Sequence, residues 1–102
     1  MSKPKNSFNM LATGLVVREL RTRFNMRLHD LAPLMSITPS SLSRIENGER
    51  KLFLDEAFLL SQVTGVPLQA MVEKIRELET KPELAEFLTA RDKLAVAKAN
   101  LT

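Results

Sequence analysis

Helix punctuation constrains this chain more than any other feature. Thr38-Pro39 reads as a helix start, with a hydroxyl that can cap the first turn and a proline at the one helical position where a missing N–H costs nothing. Gly48 reads as the matching stop, because glycine takes the left-handed conformation that ends a helix. Between them lies a helix from Thr38 to about Asn47 that buries Leu42 and Ile45. A second short apolar stretch, 28–35, precedes it with Leu28, Leu31, Ala32 and Met35 inward, and only Ser36-Ile37-Thr38 separates the two. Two short helices joined by so tight a turn form a compact helical hairpin.

The same signals organise the rest of the chain. Residues 9–24 place Leu11, Leu15, Val16, Leu20 and Phe24 at helical spacing, which predicts a first helix with that face inward. A fourth helix is expected from Leu54 to Thr64, stopped by Gly65, and a fifth from Pro67 with Leu68, Met71, Val72, Ile75 and Leu78 as its inner stripe. Thr80-Lys81-Pro82-Glu83 has the form of a capping box and predicts a sixth helix to about Asn100. Residues 1–8 read as a flexible arm, 9–79 as the main domain and 80–102 as an added C-terminal helix. The predicted class is all-α, and no strand pattern competes with it.

Charge divides the chain. Residues 1–53 carry nine Lys and Arg against four Asp and Glu, whereas residues 54–102 carry six against eight, so a net +5 half faces a net −2 half within an overall +3. A basic half attracts phosphates, although a solvated surface can show the same asymmetry. With no Cys and a single His29, the sequence offers neither a thiolate nucleophile nor a histidine metal site, and no cofactor is expected. His29 has no nucleophile or second base with it and reads as an exposed or capping residue, so no enzyme activity is expected. The polar N-terminus and the lack of an apolar run of about 18 residues predict no signal peptide, no membrane association and a cytoplasmic location.

Taken in order, Arg21, LHDLA at 28–32, Leu42, SRIENGERK at 43–51 and Gly65-Val66 resemble the Cro/phage-repressor, or XRE-type, helix-turn-helix family over about residues 10–78. That resemblance implies a five-helix repressor-like domain that binds double-stranded DNA as a transcription regulator. It places the helix 38–47 in the major groove, with Pro39, Ser40, Ser43 and Arg44 reading bases. The physics agrees with it: an α-helix fits the roughly 12 Å major groove, and short side chains near its start let it approach the base edges. Arg44 can present its planar fork to guanine O6 and N7, or alternatively contact phosphate.

Arg27, Ser41, Asn47, Arg50 and Lys51 are the expected phosphate-binding residues, with Lys51 equally readable as a solubilising side chain. Arg21 and Glu46 correspond to a family ion pair that braces the first helix against the end of the recognition helix. Leu28 stands where many members carry a phosphate-binding Gln, Ser36 replaces the usual turn Gly, and Pro33 lies inside helix two, where it is expected to kink the backbone.

The run 52–60 is more apolar than one buried helix face requires, and the tail repeats the pattern. Phe53, Phe58, Leu84, Phe87, Leu88 and Leu94 are therefore candidate dimerisation residues. The tail can cross to a second subunit or fold back on its own. The leading expectation is a homodimeric repressor on a palindromic operator. The alternative is a helical protein-interaction module, with a regulatory protein as its partner and DNA binding secondary.

Overall fold

The computed structural model describes residues 8–81, and all of the regular elements among them are helical. Helix α1 spans Met10–Arg23, α2 Leu28–Leu31, α3 Pro39–Glu46, α4 Leu54–Thr64 and α5 Leu68–Thr80. A 3₁₀ turn, Ala32–Met35, continues α2. The core is one cluster: Leu15, Val17 and Leu20 of α1 meet Leu31 and Met35, then Leu42 and Ile45 of α3, Leu60 of α4, and Met71, Ile75 and Leu78 of α5. Each of these side chains, removed from water, contributes roughly 1.5–3 kcal/mol.

Local chemistry sets the boundaries. The Asn9 carboxamide accepts the Ala12 N–H at 3.1 Å and caps α1, while Thr38 Oγ1 accepts the Ser41 N–H at 3.1 Å and caps α3. Asn25, at φ 56°, turns the chain out of α1, a left-handed position that asparagine tolerates.

Pro33 does more than kink helix two. It lacks the N–H needed to continue the α pattern, and the helix expected over 28–35 becomes one α turn followed by one 3₁₀ turn. Ser36 then takes a left-handed conformation, φ 60° and ψ 36°, in which its N–H donates to Pro33 O at 3.1 Å and the Ile37 N–H donates to Ala32 O at 3.0 Å. The turn geometry of a glycine is held by a serine.

Three apolar residues expected inside lie outside. Leu11, Phe24 and Val72 are exposed, because the core needs a narrower stripe of α1 and α5 than their full apolar sets provide. Phe24 caps the C-terminus of α1, beyond its last buried turn. Phe8, assigned by sequence to the arm, lies under the Arg76 guanidinium, 4.2 Å from ring centroid to Cζ. Thr80 is the last residue of α5, and its hydroxyl donates back to Glu77 O at 2.9 Å. The expected C-terminal helix lies outside the described residues.

Gly14 sets the position of α3. An added Cβ there would stand 2.3 Å from Ile45 O and 2.7 Å from Glu46 O, so α1 and the end of α3 touch backbone to backbone. Helix α3 is held at that distance by the absence of one methyl group.

Candidate nucleic-acid interface

Helix α3 has an inner and an outer face. Leu42, Ile45 and Glu46 are buried, while Pro39, Ser40 and Arg44 are exposed and Ser43 is half-buried. Among the described residues no hydrogen bond or ion pair engages the Arg44 guanidinium, which leaves its five donors available to a ligand. Ser41 is tied into the helix start, where its Oγ accepts from Thr38 Oγ1 at 3.0 Å.

The C-terminal end of α3 is anchored by charge. Glu46 is 3% exposed and accepts from Arg21 Nε at 2.7 Å, Arg21 Nη2 at 2.9 Å and Arg18 Nε at 3.3 Å. Arg21 also donates to Met26 O at 2.9 Å, so one guanidinium ties together the end of α1, the loop after it and the end of α3. Arg18 reaches further, donating from Nη2 to Asn47 Oδ1 at 2.9 Å. Sequence reasoning missed Arg18 and Gly14, although both left signals. Arg18 stands three residues before Arg21 and so shares its helix face, and a glycine inside an otherwise sound helix marks a close backbone approach.

The expected phosphate-binding residues divide into two groups. Lys51 is exposed, and Arg27 is exposed while paired with Asp30 through Nε at 3.2 Å. Asp30 also accepts the Arg27 N–H at 2.9 Å. That backbone bond first, then the guanidinium, holds its carboxyl below the usual carboxylate value. Asn47 is exposed, with its amide oxygen already on Arg18.

Arg50, expected to bind phosphate, is also tied into the fold. It grips Glu56 with both terminal nitrogens, at 2.9 and 2.8 Å, donates to Lys51 O at 2.9 Å and lies over the Phe53 ring. Buried Glu56 also accepts the Phe53 N–H at 2.9 Å, so the pair fixes the loop between α3 and α4 to the start of α4. The Arg50 hydrogen bonds hold the Glu56 carboxyl below its usual value against the upward push of burial, and the Arg50 pKa rises in return. These bonds use Nη1 and Nη2 and leave the Nε–H outside the pair.

Phe53, Leu54 and Phe58 are 55%, 78% and 51% exposed at the start of α4. Leu54 also borders an apolar groove of about 350 Å³ between α1, α4 and α5, lined by Val16, Met71, Val72 and Ile75 among others. Leu84, Phe87, Leu88 and Leu94 lie outside the described residues. His29 is exposed, and among the described residues no cluster of His, Asp or Glu could hold a metal ion. No helix among them is long and apolar enough to cross a membrane.

Comparison with known proteins agrees with this arrangement. The profile of the helix-turn-helix family HTH_3 matches residues 17–71. A protein of Methanoculleus marisnigri named as an HTH-type transcriptional regulatory protein is 33% identical over 82 residues, covering 80% of this chain and 27% of its own length. A similarly named protein of Thermococcus kodakarensis is 31% identical over 75 residues, covering 69% and 24%. The chain thus spans about a quarter of the length of these curated relatives.

Among solved structures, the restriction-modification controller protein C.AhdI of Aeromonas hydrophila superposes with a TM-score of 0.57 at 24% identity, covering 61% of this chain and 94% of that one. The clp gene regulator ClgR of Corynebacterium glutamicum gives 0.64 at 18% identity, covering 89% and 90%. These two likenesses concern the fold. The profile match over more than half of the chain carries the assignment, and the chain belongs to the XRE-type helix-turn-helix family of DNA-binding regulators.

Proposed function

We propose that this chain binds double-stranded DNA sequence-specifically and represses transcription from a palindromic operator. In this reading α3 lies in the major groove, Arg44 reads a guanine, and Pro39, Ser40 and Ser43 allow and refine the approach. Arg27, Ser41, Asn47 and Lys51 contact phosphates and set register rather than sequence. The observation that carries the reading is the division of α3: its inner face is locked by the core and by Glu46, while its outer face offers an unengaged arginine beside small side chains.

Two copies acting together would place two recognition helices about 34 Å apart, in successive turns of the major groove. The exposed apolar start of α4, with Phe53, Leu54 and Phe58, supports a second copy as the partner. The same patch favours the alternative, a regulatory protein bound to the helical bundle. Solution mass at micromolar concentration, for the wild type and for Leu54→Glu with Phe58→Glu, separates the two: a wild-type dimer reduced to monomer supports the first, and a monomer in both favours the second. Binding of random-sequence DNA fragments at two salt concentrations tests the DNA reading. A preferred sequence whose affinity falls steeply with salt supports it, and salt-insensitive or absent binding refutes it. A cytoplasmic site of action accords with this function.

A further inference from the structure

Arg18 links the scaffold helix α1 to the outer face of α3 by a chain of hydrogen bonds whose directions are fixed by chemistry. A guanidinium only donates, so the Asn47 atom 2.9 Å from Arg18 Nη2 must be the amide oxygen. The Asn47 amide nitrogen therefore points the other way, toward Ser43 Oγ at 3.4 Å. An amide NH₂ also only donates, and Ser43 Oγ is obliged to accept. Among the described residues nothing accepts the Ser43 hydroxyl proton in return.

A free serine hydroxyl rotates and serves as donor or acceptor alike, which makes it a poor discriminator of bases. A hydroxyl that accepts an internal bond is polarised and becomes a better donor outward. We propose that Arg18 is a positioning residue for base reading: through the Asn47 amide it sets the Ser43 hydroxyl as a hydrogen-bond donor toward DNA. Ser43 then selects base edges that carry acceptors, guanine O6 and N7, adenine N7 or thymine O4. It disfavours cytosine on the contacted strand, whose major-groove edge offers only the N4 donor. This inference rests on the reading that α3 lies in the major groove.

The test uses the full chain and duplexes varied one base pair at a time, with the position read by Ser43 defined as the one whose preference Ser43→Ala abolishes. Wild type is expected to bind cytosine there about 3–10-fold more weakly than the other bases, the effect of one hydrogen bond. Arg18→Met and Asn47→Ala should each shrink that penalty to within about two-fold and leave preferences elsewhere intact. In the Ser43→Ala chain neither should change the preference at that position. Asn47→Ala leaves the Glu46 ion pairs in place, so the same result from both variants excludes a folding effect.

Equal loss on every duplex with the cytosine penalty retained overturns the proposal, as does a change at that position by Arg18→Met in the Ser43→Ala chain. If Ser43→Ala alters no preference while Arg44→Ala does, the groove reading stands and the role of Arg18 falls. If wild type shows no base preference, both fall.

Discussion

Glu46→Gln should cost far more stability than its change of one atom suggests. The carboxylate is buried and accepts three hydrogen bonds from two guanidinium groups, one of them at 2.7 Å. Glutamine keeps one acceptor oxygen but turns an NH₂ toward an arginine that can only donate. The substitution therefore leaves two partly buried cations facing an uncharged group. Breaking a buried pair from one side costs about 3–5 kcal/mol. Because Arg21 and Arg18 retain some exposure and other acceptors, in Met26 O and Asn47 Oδ1, the lower end applies, about 3 kcal/mol. For a domain of this size that corresponds to a fall in Tm of roughly 12–24 °C.

Thermal and urea unfolding followed by circular dichroism measure it directly. A cycle with Arg21→Met should give a coupling of about 1–3 kcal/mol, since each single substitution strands part of the same pair. A loss under 0.5 kcal/mol, or losses that simply add, would refute the view that this network fastens α3 to α1.

Gly14→Ala places a methyl group against backbone oxygens that cannot rotate away, so it should destabilise by about 1–3 kcal/mol and weaken DNA binding as α3 is pushed off α1; unchanged Tm and affinity would contradict this. Ser36→Gly should raise Tm by a few degrees, about 0.5–1 kcal/mol, because it relieves a left-handed non-glycine residue; a lower Tm would count against strain at that turn. Glu56 has a depressed folded pKa, so its pairing with Arg50 stabilises the fold above the unfolded carboxyl value and is lost as pH falls through the folded one. Unfolding measured from pH 6 down to pH 2 should therefore show wild type losing stability faster than Glu56→Gln, and parallel curves would remove the pair from the acid response.

Element order was legible in the sequence because caps and stops are local. Thr38 with Pro39, Gly48 and Gly65 mark positions that no distant contact needs to specify. What required the structure was the relation between elements. Pro33 announces a break in helix two, but only the packed chain shows the 3₁₀ turn that absorbs it. Arg50 looks like any loop cation until Glu56, six residues later, folds beneath it. The surplus leucine and phenylalanine on α1, like Val72 on α5, match the helical period without facing the core, since periodicity names a face but not its width. At the interface, residue types identified the outer face of α3, whereas the hydrogen-bond chain from Arg18 through Asn47 depends on atoms brought together across about 30 positions of sequence.

Selection of bound duplexes from a random pool by wild type and by Arg44→Ala tests whether the outer face of α3 reads base sequence. Wild type should recover a palindrome with a guanine in each half-site, and Arg44→Ala should recover the same palindrome with preference relaxed at that guanine alone, a loss of about 1–3 kcal/mol there. Recovery of no common sequence by wild type, or an unaltered preference at every position with Arg44→Ala, would contradict it.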